Sequence, residues 1–272
     1  MKKFKKLYIE ITNICNLSCD FCPKTKRKPA SMNVHDFESL ATKLKPFGDY
    51  LYLHVKGEPL LHKNLDEILD VCQKLNFKVC ITTNGTLIKE KSEILKRHKC
   101  VHKIHISLHS LEANDTNLSL DNYILNIVDF IKSAKCITVL RLWNDGTAQK
   151  LNKKILDKLK ENFDFISDLK VKENVFIENG EKFEWADLQK QAESQTGFCY
   201  ALRNQVAVLV DGTVVPCCLD NNGDINLGNL HENSLEDILK SEKAISLYNG
   251  FSNRKLVEQL CKNCGFVKRF NK

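Results

Sequence analysis

Hydrophobic and polar positions change period repeatedly along the first 180 or so residues, which sorts them into short strands and longer helices. Continuous or alternating β-branched runs predict strands over Leu7–Ile14, Tyr50–Val55, Phe77–Thr82, Lys103–Leu108, Ile137–Trp143 and Lys170–Ile177. Between them, apolar residues at helical spacing predict helices over Val34–Leu44, Leu65–Leu75, Lys89–His98, Leu120–Ala134 and Gln149–Asn162. A strand–helix alternation of this kind belongs to an α/β fold with a parallel sheet. Five or six such units, with no seventh or eighth, predict an open, partial (β/α)6 barrel of the TIM type. Ligands of such folds bind where loops converge at the carboxyl ends of the strands.

From about Glu181 the pattern changes, and Gly197–Lys272 reads as a small, separate α+β module. Val206–Val210 and Thr213–Val215 flank Asp211-Gly212, the dipeptide that supplies the positive φ angles of a tight turn, so a β-hairpin is expected. Ser234 suits the N-cap of a helix over Ser234–Ser241, with Asp237 in its first turn. The chain is thus expected to divide into a partial barrel at 1–180 and a second domain at 181–272.

Composition adds little to this. Hydrophobic residues make up 43% and charged residues 28%, and no apolar run is long enough to span a membrane. With no secretory leader ahead of the first strand, the expected location is the cytoplasm, with no membrane partner. The net charge of +7 mildly favours acidic partners. Its densest run, Lys24–Lys28, lacks the interleaved aromatics of a nucleic-acid groove and reads equally well as a solvated loop, so nucleic acid is not an expected partner.

Twelve cysteines change the picture more. Disulfides are disfavoured in the cytoplasm, which leaves metal or redox chemistry. Cys72, Cys80, Cys100 and Cys136 stand singly in predicted helices, strands or their ends and are expected to be small core hydrophobes. Cys15, Cys19 and Cys22 instead form a CxxxCxxC directly after the first strand. Three thiolates on one loop can ligate three irons of a cubane and leave the fourth iron open to a small chelate. A zinc site or a saturated cluster would need a fourth donor, and the nearest imidazole, His35, opens a helix.

With Phe21 ahead of the third cysteine, this motif resembles that of the radical SAM superfamily. Lys56-Gly57-Glu58-Pro59, after the second strand, resembles the family's Gly-Gly-Glu segment, with Lys56 in place of the first glycine. The resemblance implies that Cys15, Cys19 and Cys22 ligate a [4Fe-4S] cluster binding S-adenosyl-L-methionine. It also implies that Gly57 and Glu58 contact the cofactor's amino group and that Ser107, in Ser107-Leu108-His109, contacts its ribose. Asn84, in Thr82-Thr83-Asn84-Gly85 at the end of the third strand, is a further cofactor candidate. Strand parity puts Thr82 with Asn84, and His105 with Ser107 and His109, so that these side chains could share the lumen.

Cys199, Cys217, Cys261 and Cys264, with gaps of 17, 43 and 2 residues, could saturate a second [4Fe-4S] cluster, or a zinc ion of the same ligand count. Gly197-Phe198-Cys199, the segment Asp211–Asp220, Leu227-Gly228-Asn229 and the closing CxxC resemble the short, twitch form of the SPASM auxiliary-cluster domain. That resemblance favours iron–sulfur, and its register favours Cys217 over the adjacent Cys218. Together the two resemblances imply a radical SAM oxidoreductase or maturase. It would hold two [4Fe-4S] clusters, draw electrons from a flavodoxin or ferredoxin type donor and act on a peptide or small-molecule substrate. Oxidation or modification of a peptide is the first expectation, alcohol or sugar dehydrogenation the second, and a non-enzymatic iron–sulfur or zinc protein the reading from another class. Catalytic residues are not identifiable, although Lys56, Glu178 and Asp220 suit a base by position. Arg141 and Trp143, and Phe183 with Trp185, lie in stretches suited to facing substrate.

Overall fold

The computed structural model describes residues 3–112, 114, 118–145, 150–192 and 194–270. Six parallel strands build the barrel wall: β1 (Lys6–Ile9), β2 (Tyr50–Tyr52), β3 (Lys78–Thr83), β4 (Val101–Ser107), β5 (Ile137–Asp145) and β7 (Val175–Glu181), each paired with the next in that order. Helices α1 (Val34–Leu44), α2 (Leu65–Lys74), α3 (Ile88–Arg97), α4 (Leu120–Ser133) and α5 (Asn152–Asn162) form the crossovers. Gln149, the expected start of the last of these, lies outside the described residues. No described helix is long and apolar enough to cross a membrane.

Strand parity separates the two faces of this wall. Leu51, Leu53, Ile81, Ile104, Ile106, Leu140 and Leu142 are buried among apolar helix residues such as Phe37, Leu40, Leu69 and Ile127. Each such side chain contributes about 1.5–3 kcal/mol on burial. The opposite face lines the lumen, where Tyr8, Val55, Ala207, Leu209 and Val215, with Tyr52 and Cys218, form a second, smaller apolar cluster. Of the single cysteines, Cys72, Cys80 and Cys100 are buried, and half-buried Cys136 packs against the core.

Two predicted strands differ most from the structure, and β2 also stops at Tyr52, short of the expected Val55. The run Lys170–Ile177 is two antiparallel strands, β6 (Lys170–Lys172) and the start of β7. The chain reverses through Asn174 at φ 63°, a conformation that asparagine tolerates better than most residues. The first strand leaves its ladder at Ile9 rather than Ile14. Beyond that point the Glu10 carboxylate collects the backbone N–H groups of Lys56 and Val210, where strand pairing would otherwise continue.

The C-terminal hairpin does not stand apart from the barrel. β8 (Gln205–Val208) lies parallel to β1, in register from Lys6↔Gln205 to Ile9↔Val208. β9 (Thr213–Val215) and β10 (Gly228–Asn229) then follow antiparallel, giving one ten-stranded sheet in the order β10-β9-β8-β1-β2-β3-β4-β5-β7-β6. The expected Asp211-Gly212 turn is present, with Gly212 at φ +84°, where a Cβ would meet the His231 ring at 2.3 Å. Ser234 caps α6 (Leu235–Leu239) by accepting from Asp237 N, and α7 (Glu242–Ser252) and α8 (Gln259–Lys262) close the module.

Candidate active site

The loop after β1 carries Cys15, Cys19 and Cys22 at the carboxyl end of the barrel, and each thiol faces an N–H donor from a different segment. Asn84 Nδ2 lies 3.9 Å from Cys15 Sγ, Asn114 Nδ2 donates to Cys19 Sγ at 3.1 Å, and Lys56 Nζ donates to Cys22 Sγ at 2.7 Å. Such donors are what thiolate ligands of an iron–sulfur cluster receive, and they tune its potential. In identity and number, the three thiols fit a cubane with one open iron. Among the described residues no three His, Cys, Asp or Glu side chains already converge on one metal position. Without a metal, burial pushes the Cys15 and Cys19 thiols up from their ordinary pKa. His35 stays away, its side chain 93% exposed beside Asp36.

The loop is stitched to its neighbours at two points. Gly57, at φ +80°, packs so closely on the backbone of Thr12 and Asn13 that a Cβ would lie 2.3 Å from Thr12 O, so only glycine fits. The next residue, Glu58, donates its backbone N–H to Ile14 O. Its buried carboxylate accepts from Asn84 N at 2.7 Å and Leu60 N at 3.0 Å, joining the ends of β2 and β3. Burial raises its pKa to about 7. Asn84 also holds Asn16 of the cysteine loop at 2.9 Å.

The second point uses a residue from the basic run. Arg27 forks onto fully buried Glu10, with bonds of 2.7 and 2.6 Å, and its Nε donates to Asn221 O at 2.8 Å. Lys26 N and Thr25 Oγ1 both reach Asn222 Oδ1 at 3.1 Å. Part of the Lys24–Lys28 segment is thus an internal strut between the cysteine loop and the C-terminal module, not wholly a solvated loop. The sequence signal for it is Glu10, a lone acid in the apolar run Leu7–Ile11.

Cys199, Cys217, Cys261 and Cys264 line one cleft, walled by Ala186, Phe251, Leu256, Leu260 and Val267. Apolar walls around four thiols suit a saturated cluster, and burial raises the thiol pKa of Cys199, Cys217 and Cys261. Cys218 faces the other way, into the lumen cluster, where it shares a hydrogen bond with Tyr8.

Asp220 also borders the cleft, but its carboxylate accepts from Asp224 N and Ile225 N at 2.8 Å and so holds its own loop together. Ser107 ends β4 beside Arg141 of β5, in the lumen row that includes His54 and His105. His109 falls in a 3₁₀ turn, its Nδ1 3.2 Å from Arg141 O and its ring 5.0 Å from Phe21. Trp143, Phe183, Trp185, Phe266 and Phe270 form a ladder of ring contacts at 5.0–6.4 Å running from the barrel mouth toward the C-terminus.

A three-thiol loop at the mouth of a partial barrel and a four-thiol cleft in the C-terminal module define an iron–sulfur enzyme class, and comparison with known proteins identifies it. The model of the radical SAM superfamily matches residues 9–167, and that of SPASM, an iron–sulfur cluster-binding domain, matches residues 199–265. The chain belongs to the radical SAM superfamily, carries a C-terminal SPASM domain and is an enzyme of the radical SAM oxidoreductase type.

It is similar over nearly its whole length to the S-adenosyl-L-methionine-dependent 2-deoxy-scyllo-inosamine dehydrogenase of Niallia circulans, at 23% identity covering 98% of this chain and 94% of the relative. A 36% identical stretch of 108 residues, 38% of this chain and 24% of the relative, is similar to the subtilosin biosynthesis protein AlbA of Bacillus subtilis. Among solved structures, Streptococcus suis SuiB bound to precursor peptide SuiA has a TM-score of 0.67 at 18% identity, covering 98% of this chain and 71% of that one. BtrN in complex with AdoMet and 2-DOIA has a TM-score of 0.58 at 20% identity, covering 97% and 94%. Both structures share the fold.

Proposed function

We propose that this enzyme oxidises a peptide by two electrons, with hydrogen abstraction at the barrel mouth and a cluster in the four-cysteine cleft as electron acceptor. The observation that carries this reading is the placement of Cys217 and Cys218. One lines the cleft with three further thiols, and its neighbour reaches the lumen wall at Tyr8.

In this reading Cys15, Cys19 and Cys22 hold one [4Fe-4S] cluster, and Cys199, Cys217, Cys261 and Cys264 hold another. When bound, S-adenosylmethionine on the three-thiolate cluster supplies a 5′-deoxyadenosyl radical. Gly57, Glu58, Asn84 and Ser107 would hold the cofactor, Lys56, Asn84 and Asn114 orient the cysteines, and the lumen would hold substrate away from water. A flavodoxin or ferredoxin type protein delivers the first electron. AlbA and SuiB, whose names and titles point to peptide substrates, support a peptide for this chain as well.

A second reading, dehydrogenation of a small-molecule alcohol, is favoured by the end-to-end similarity to the Niallia circulans dehydrogenase. Deuterium placed at the oxidised position of each substrate type tests both readings. The peptide reading expects label in deoxyadenosine and a peptide lighter by two hydrogens, and the alcohol reading expects a labelled cyclitol or sugar to give a ketone. Unlabelled deoxyadenosine with every substrate intact would contradict both.

A further inference from the structure

The lumen holds a cationic group that neither cysteine cluster uses. Arg141 Nε donates to Glu178 Oε2 at 3.0 Å, and the guanidinium carbon sits 4.4 Å over the Trp143 ring. These two contacts fix the plane of the fork while using one of its five N–H groups. Among the described residues its two terminal amino groups have no partner, and the side chain is only 17% exposed.

On the same lumen face, His105 of the neighbouring strand β4, one residue pair deeper than Arg141, and His54 just beyond β2 each bury an Nδ1 atom with no hydrogen-bond partner among the described residues. His105 is 9% exposed. Burial, with the Arg141 charge next in size, pushes their pKa values down to about 2 and about 3, so both rings are neutral and each offers one donor.

Strand parity puts Lys6 and Lys103 on the same face, deeper in the barrel. Glu178 is the one acid paired with Arg141, and Glu10 is occupied by Arg27. A half-buried guanidinium held by packing, with two free parallel donors and neutral donors on the same lumen face, is suited to a planar carboxylate held bidentately.

We propose that Arg141, with His54 and His105 on the same lumen face, binds a carboxylate carried by the substrate. The proposal rests on the reading that substrate occupies the lumen and names the chemical class it belongs to: an acidic peptide side chain or a carboxylic acid of sugar size. The methionyl carboxylate of S-adenosylmethionine has the same chemistry, and the experiment separates the two sources.

Calorimetric titration of the anaerobically reconstituted enzyme uses two matched pairs of probes. One pair is acetyl-Gly-Glu-Gly-amide and its Gln twin, and the other is galacturonate and galactose; S-adenosylmethionine is titrated separately. In the parent enzyme at least one acidic probe is expected to bind about tenfold or more tightly than its neutral twin. Arg141→Met erases that preference, Arg141→Lys restores part of it by charge without the fork, and neither changes S-adenosylmethionine affinity more than about twofold. The proposal is overturned if no acidic probe outbinds its twin, or if Arg141→Met keeps the preference. A roughly tenfold loss of S-adenosylmethionine affinity in Arg141→Met would also overturn it, by assigning the clamp to the cofactor. Absence of deoxyadenosine formation in the parent would instead contradict the radical reading, so the two failures are distinguishable.

Discussion

Replacing Arg27 by methionine removes, among the described residues, the one side-chain cation paired with a fully buried carboxylate. Glu10 has no solvent exposure and accepts four N–H groups: two from the Arg27 fork at 2.7 and 2.6 Å, Lys56 N at 3.0 Å and Val210 N at 3.1 Å. Without Arg27 the buried charge keeps its two backbone donors and, among the described residues, no side-chain countercharge. Breaking a buried pair from one side costs about 3–5 kcal/mol, a large share of the roughly 5–15 kcal/mol that holds a typical domain folded.

Glu10→Gln is expected to cost less, about 1.5–3 kcal/mol for lost charged hydrogen bonds, because Arg27 is 14% exposed and can recover water while the substituted amide still accepts from backbone. Urea denaturation of the reduced, metal-free protein followed by circular dichroism measures both, with a falling midpoint at constant slope. The double variant should lose less than the sum of the two single losses, because they remove one interaction. An Arg27→Met protein within about 1 kcal/mol of the parent, or two single effects that simply add, would refute the claim that this pair joins the cysteine loop to the C-terminal module.

Three further outcomes can be checked on purified protein. Reconstituted parent enzyme should hold about eight irons, Cys217→Ser should lose about half of them, and Cys218→Ser should keep them; equal iron in both variants would remove Cys217 from the ligand set. Lys56→Met takes an ammonium group from beside Cys22 Sγ, so an EPR-monitored redox titration should place the first cluster's potential lower by tens of millivolts, on the order set by hydrogen bonds to cluster sulfur. Glu58 favours its protonated form in the folded state because burial raises its pKa to about 7. The folded protein therefore binds more protons than the unfolded one between the ordinary carboxylate pKa and about 7. This part of the stability is complete below that window and is lost as pH rises through it. Glu58→Gln should flatten the stability profile of the metal-free protein there, and an unchanged slope would rule the group out.

The elements that follow local rules were legible in the sequence. Amphipathic spacing located the helices, and the Asp211-Gly212 dipeptide located the hairpin, because periodicity and turn chemistry are properties of neighbouring residues. Asn174 marks the reversal inside Lys170–Ile177, but β-branched residues on both sides imitate one continuous strand and mask it. Pairing of β8 with β1 joins residues about 200 positions apart, and nothing local to Lys6 or Gln205 encodes it. For the same reason Asn114, which donates to Cys19, was invisible in a polar stretch without periodicity. Cys217 and Cys218 sit in the turn after β9, where Asp220 N bonds back to Cys217 O, and that turn puts the first in the cleft and the second in the lumen.

If three thiols on the loop after β1 hold a cluster with one coordination site open to a sulfonium cofactor, reductive cleavage of that cofactor requires each of them. The most direct test is quantification of 5′-deoxyadenosine formed under anaerobic conditions from S-adenosylmethionine and dithionite by reconstituted parent protein and by Cys19→Ala. The account predicts reductive cleavage by the parent and its loss in the variant, with the C-terminal cluster still loaded. Cleavage by Cys19→Ala at the parent's rate would contradict it.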